Sequence, residues 1–169
     1  MALIKLNNQS LTNVTSAGLP SGTVLQVKQT PITAEVSQAA QGETTFADIS
    51  GATVSITPSS SSNKILVSYT LHIGNSTTSQ NNVIKLLRDS TEIVGTGGSS
   101  RNVTGYARLS GNTEIQPEVI QYLDSPATTS ALTYKVQWAT GSGTLYLNRR
   151  GLNDVYGLLS TITVMEIAN

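Results

Sequence analysis

A single histidine, ten scattered carboxylates and one pair of adjacent arginines are the residues of this chain whose chemistry could reach beyond structure. A nucleophilic triad needs a nucleophile, an imidazole and an orienting acid brought together in space. His72 is the lone histidine and cysteine is absent, so no Cys or second His can share a metal with it. The residues favour a polar His72 that faces outward or into an interface. Glycoside hydrolysis needs two carboxylates about 5 to 9 Å apart across a sugar. Glu35, Glu43, Asp48, Asp89, Glu92, Glu114, Glu118, Asp124, Asp154 and Glu166 are spread along the chain. Ten acids can supply one such pair by chance, and most fall in expected turns, where Asp bonds its own backbone. Gly95-Thr96-Gly97-Gly98 is not followed by Lys-Ser or Lys-Thr or by a helix start, so it reads as a turn and not as a phosphate cradle. The expectation is a protein that is not an enzyme, with no catalytic, cofactor-binding or metal-ligating residues to assign.

Binding chemistry is better represented. Arg149-Arg150 lies in the expected loop from Asn148 to Asp154. It reads as a solvated loop or, alternatively, as a clamp on carboxylates of a neighbouring subunit. Six of the few aromatics are tyrosines. Tyr69 and Tyr134 fit half-buried strand positions. Tyr106, Tyr122, Tyr146 and Tyr156 fall near strand ends or loops, where tyrosine stacks on sugars or anchors protein interfaces. Tyr146, Tyr156, Arg149 and Arg150 are the candidate glycan contacts. Asn8, Asn13, Asn75 and Asn102 each open an Asn-x-Ser/Thr triplet, which a chain rich in Ser and Thr produces by chance.

Strands must position these groups. Ile65, Val67, Tyr69, Leu71 and Ile73 alternate with Leu66, Ser68, Thr70 and His72. A period of two places the first set on a core face. Leu132, Tyr134, Val136 and Trp138 repeat the pattern. Shorter strands are expected at Thr23–Gln29, Thr53–Thr57, Val83–Arg88, Glu92–Val94, Thr104–Leu109, Glu118–Leu123, Leu145–Asn148 and Leu159–Ile167. Asp89-Ser90 marks a hairpin. Pro58 with its serine run, Ser110-Gly111-Asn112 and Asp124-Ser125-Pro126 mark further reversals. About ten short strands without helical periodicity specify an all-β chain, an antiparallel β-sandwich of jelly-roll type.

The last strand carries Ile162 and Val164 on one face, and Leu159, Met165 and Ile167 on the other with Thr161 and Thr163. A strand apolar on both faces is covered on both sides. The second cover is a neighbouring copy or, equally, a loop of the same chain. In the first case Leu159, Thr161, Thr163, Met165 and Ile167 form an oligomer interface.

Composition bounds the partners. Charged residues make up 12%, against about 25% in ordinary soluble chains. Ten basic and ten acidic residues cancel, so no basic stripe points to nucleic acid. No apolar run reaches the length of a membrane span. The start lacks the basic and apolar blocks of a signal peptide. Residues 1–21 carry Leu3, Leu6, Leu11, Val14 and Leu19 isolated among Asn, Ser and Thr. They read as an attachment segment ordered by a partner, ahead of a sandwich domain over 22–169.

The opening Ile4 to Leu11 and the run Leu19-Pro20-Ser21-Gly22-Thr23-Val24-Leu25-Gln26-Val27 resemble the starts of bacteriophage virion proteins, cyanophages among them. Val54 to Pro58, Lys64 to Val67, Leu86 to Ile93, Tyr122 to Pro126, Thr133 to Gln137 and Ser160 to Ile167 continue the resemblance as loose patterns over nearly the whole chain. It implies a jelly-roll knob similar to the trimeric C1q and tumour-necrosis-factor folds, in a short fibre or capsid decoration. The partners it implies are further copies in a homotrimer, tail or capsid proteins, and a host surface glycan. The location would be the virion, assembled in the host cytoplasm. The long repetitive shaft of a tail fibre is missing from this sequence, which puts reach toward a distant receptor in doubt.

Overall fold

The structure is a computed structural model that describes residues 19–93, 102–152 and 156–169. Eleven strands run along these residues: β1 (Val24–Ile32), β2 (Val36–Ala39), β3 (Ala47–Ile56), β4 (Lys64–Asn75), β5 (Asn81–Arg88), β6 (Thr91–Glu92), β7 (Gly105–Arg108), β8 (Gln116–Asp124), β9 (Leu132–Thr140), β10 (Thr144–Leu147) and β11 (Ser160–Ile167). All pairings are antiparallel.

Sheet A is built on β4. β8 pairs along one edge of β4, from Ile65 opposite Asp124 to Ile73 opposite Gln116. β11 and then β10 share its other edge. Beyond them lie β1 and β2. Sheet B runs β3, β9, β5, and then β7 and β6 side by side on one edge of β5. Counting β1 with β2, β10 with β11, and β6 with β7, each sheet has four lanes. The chain passes A, B, A, B, B, A, B, A. That alternation is the jelly roll, with antiparallel partners drawn from distant parts of the chain.

Alternation in the sequence builds the core. Ile65, Val67, Tyr69, Leu71 and Ile73 of β4 meet Ile84 and Leu86 of β5 and Leu132, Tyr134, Val136 and Trp138 of β9. Each fully buried aliphatic side chain contributes about 1.5–3 kcal/mol. Tyr69 and Tyr134 are fully buried on the core face that alternation gives them, where half-buried strand tyrosines were expected. The Asp89-Ser90 hairpin forms between β5 and β6, with Asp89 at φ 55°.

Three differences from the sequence reading have physical causes. β2 was not expected, because Val-Ser-Gln-Ala is short and mostly polar; β10 selects it by register. β3 starts at Ala47, ahead of the expected Thr53, because a register shift between Asp48 and Thr53 carries the strand through Ser50-Gly51. Leu159 lies before β11, which opens at Ser160, so Leu159 is exposed outside the strand.

Candidate assembly surface and loop site

The outer face of sheet A carries three rows of four across β1, β11, β4 and β8. Val27, Met165, Leu66 and Leu123 are register partners in a row across β1, β11, β4 and β8. Pro31, Thr161, Thr70 and Val119 form a second row, and Gln29, Thr163, Ser68 and Gln121 the row between them. Val24, Ile167 and Lys64 continue the array at its lower rim. No carboxylate stands among these positions, and Lys64 is the one charge. Val27 is 52% exposed and Val119 65%. Thr163 is buried on this face, with Gln29 donating to its hydroxyl at 2.9 Å. Of the expected interface residues, Thr161, Thr163, Met165 and Ile167 therefore share one face. Leu159 does not join them.

Sheet B faces solvent differently. Its outward positions include Asp48, Lys135, Lys85, Glu92 and Arg108. Lys135 pairs with Asp48 at 2.9 Å, and Lys85 with Glu92. Lys85 also lies over the Phe46 ring. Sheet B thus carries charge on its outer face, while the three rows at the centre of sheet A carry none; His72 and the Arg149–Tyr146 stack lie beyond them on the sheet A side.

A second site forms where β10 leaves sheet A. Asn148, at φ 64°, ends that lane and Ser160 restarts it. Asparagine tolerates this left-handed geometry better than most residues. Ser160 donates to the Asn148 side chain at 2.6 Å. Asn148 donates its amide to the carbonyls of Ile32 and Ala34, across the break between β1 and β2. The backbone of His72 is satisfied by the same pair: Asn148 N donates to its carbonyl and its N–H donates to Ser160 Oγ. Gly74 and Gly151 let the chain cross here, since a Cβ on either would overlap the backbone of Arg149 or Asn75.

From this neck Arg149 stacks on Tyr146, 4.3 Å from the ring centre, and Arg150 lies 5.4 Å from that of Tyr156. Arg149 also reaches Glu35 at 3.4 Å. The four candidate glycan contacts are thus brought together as two arginine-on-tyrosine pairs. Tyr156 is exposed; Arg149 and Arg150 are half-buried. Tyr106, Tyr122 and Tyr146 lie within β7, β8 and β10, each near a strand end as expected. Leu3, Leu6, Leu11 and Val14 lie outside the described residues, as do Asp154 and the Gly95 to Gly98 turn; Leu19 is half-buried ahead of β1.

The described acids serve the fold. Glu92, Glu118 and Glu166 lie on strands as their expected strands imply; Asp48 and Asp124, expected outside strands, lie on β3 and β8. Pairing geometry and not turn chemistry places them. Asp124 accepts from Arg88 and, at 2.7 Å, from Tyr134. Burial and the Asp124 carboxylate raise the Tyr134 phenol well above its ordinary value. Glu166 is buried, which opposes its ionisation. Bonds from Asn63, Gln26 and Ser59 more than offset that and hold it below the ordinary glutamate value. Glu118 is pushed up by burial. Tyr69 is pushed up to about 12, again by burial. Glu35, Glu43, Asp89 and Glu114 also accept bonds from side chains or backbone nearby. Among the described residues no three acids or histidines gather as a metal site.

No protein-family model matches the sequence, and no curated protein matches it. Solved structures of infectious bursal disease virus align with this chain. The Gx strain structure aligns over 99% of this chain and 46% of its own, at 13% identity and a TM-score of 0.47. The Gt strain structure aligns over 86% and 37%, at 13% identity and 0.47. A T=1 particle derived from the same virus aligns over 86% and 37%, at 14% identity and 0.44. This chain spans less than half the length of each of them.

Sequence reasoning did not find Val24, Val27, Leu66, Val119 and Leu123 as members of the candidate surface. Each falls at an outward position of an expected strand, but only the register of β1, β11, β4 and β8 shows that they adjoin.

Proposed function

We propose that this chain is a structural subunit of a phage virion, a short fibre or decoration protein that acts by assembly and not by catalysis. The observation that carries this reading is the contrast between its two faces. Sheet B is charged and suited to water. The centre of sheet A is an uncharged array with an apolar row, of the kind that marks interaction surfaces. The engagement of the described acids in bonds within the fold supports a structural role over a depolymerase. In this reading three copies associate, and residues 1–21 attach the trimer to tail or capsid proteins in the host cytoplasm. Neither nucleic acid nor membrane is a partner. Deleting 1–21 should leave a folded domain that is absent from purified particles. Full incorporation of the truncated protein would contradict the attachment role.

The paired arginines and tyrosines favour one second reading, a receptor-binding tip that holds a host surface glycan. Tyr156 offers an exposed ring and Arg149 and Arg150 supply donors beside it. A glycan array tests it: saturable binding lost in Tyr156→Ala supports the tip, and no binding removes it. Release of reducing sugar from the bound polysaccharide would instead show a depolymerase.

A further inference from the structure

The structure assigns the outer face of sheet A, centred on the row Val27, Met165, Leu66 and Leu123, as the surface through which one copy of this chain packs on another. The inference rests on the assembly reading and names the partner and the residues. It widens the interface from one strand to four and moves its apolar centre to residues of β1, β4 and β8.

Charge chooses the occupant. A strongly charged partner would lose water from its charges against the three central rows, which offer no charge at all; Lys64 at one end and His72 with the Arg149–Glu35 pair at the other lie outside them. An identical face carries the same neutral pattern, so stacking two copies leaves no interior charge unpaired and no like charges opposed at the centre. The whole chain has no net charge to keep copies apart, which removes a general barrier to self-association.

Size agrees. Four lanes about 4.8 Å apart and about eight residues long give a flat footprint of about 500 Å². Two such faces bury about 1,000 Å², the lower bound of a specific interface. Face-to-face sheets pack about 10 Å apart with interdigitating side chains. The ridge of Val27, Met165, Leu66 and Leu123 beside the small Thr163 and Ser68 supplies the relief for such packing. The centre has unbranched Met165 and Leu rather than charged side chains, as interface centres do.

The test compares single substitutions on the two sheets of the full-length chain. Val119→Glu and Leu66→Glu place a carboxylate on the sheet A face; Thr53→Glu places the same charge on sheet B, opposite Lys135. Native mass is read by light scattering, with circular dichroism as the check of folding. The expected result is a two- or threefold fall in mass to one chain, 17.8 kDa, for the sheet A variants, and no change for Thr53→Glu. Two faces stacked squarely make a twofold pair, so a twofold fall supports the surface and removes the trimer; a threefold fall supports the trimer and shows the face shared between two neighbours. Val119 is so exposed that its variant folds even if Leu66→Glu does not. A folded Val119→Glu with unchanged mass overturns the surface, as does a wild-type monomer. Incorporation of the same variants into particles is scored separately. Loss of self-association with retained incorporation overturns only the link between copies, and wild type absent from particles overturns the virion reading itself.

Discussion

Arg88 on β5 places one guanidinium nitrogen, Nη1, 2.8 and 2.7 Å from the two carboxylate oxygens of Asp124, on β8 of the opposite sheet. The pair joins the sheets at the end of the core, and the Tyr134 hydroxyl from β9 completes it. Asp124 is almost fully shielded from water. Arg88 ionises more firmly than usual: burial opposes its charge, and the Asp124 carboxylate more than offsets that.

Removing one member leaves the other charge unpaired at a buried site. Asp124→Asn should therefore lower the unfolding free energy by about 3 kcal/mol. Tyr134→Phe removes one bond to a charged group and should cost about 1.5 kcal/mol. Urea unfolding followed by Trp138 fluorescence measures both. A change below about 0.5 kcal/mol for Asp124→Asn would show that the pair does not hold the sheets together.

Glu166 sets the acid limb of stability. Its folded pKa lies below the ordinary glutamate value of 4.5. Its contribution is therefore fully present above pH 4.5 and is lost as pH falls through the lower folded value. Glu118 runs the opposite way: its raised folded pKa penalises the charged form at neutral pH, and the penalty is relieved on acidification. Glu166→Gln should flatten the fall in Tm below pH 4.5. Glu118→Gln should raise Tm at pH 7 and not at pH 3. Thermal melts from pH 3 to 7 decide, and an unchanged acid limb in Glu166→Gln would contradict the assignment.

The β10–β11 neck depends on Asn148 and on two glycines. Asn148→Ala loses the buried amide bond to Ile32, the part-buried one to Ala34 and the buried acceptor of Ser160, and should cost about 2 kcal/mol or more. Gly151→Ala sets a Cβ against the backbone of Asn75 and should cost about 1–3 kcal/mol through displacement. Arg149→Ala, beside them, removes a stacking contact and a solvent-facing ion pair and should cost under about 1 kcal/mol. Denaturant midpoints rank the three. Arg149→Ala as damaging as Asn148→Ala would place the strength of the neck in the arginine.

The core of this fold was legible because period-two alternation in β4 and β9 is uninterrupted, and each alternate side chain has one face to choose. The jelly-roll lanes were legible only as a class. The partner of β4 is β8 on one edge and β10 and β11 on the other, and nothing in a strand's own residues names a partner dozens of residues away. The same gap hid the surface. Leu66 reads as one apolar residue on the polar side of β4, and Val119 and Leu123 read as parts of a weak strand. Pairing sets Leu66 and Leu123 in one row with Met165 and Val27, and Val119 in a row with Thr161 and Pro31 on the same face. Arg149, Arg150, Tyr146 and Tyr156 were found because type and proximity in sequence suffice for a loop. That each arginine would sit on a tyrosine depended on the close crossing at Gly74 and Gly151.

The native mass of the unmodified full-length chain, measured by light scattering over a wide range of concentration, tests the central claim most directly. The account predicts a mass of three chains that does not change on dilution. A single chain at every concentration would contradict it, leaving the sheet A face without a second copy to cover it.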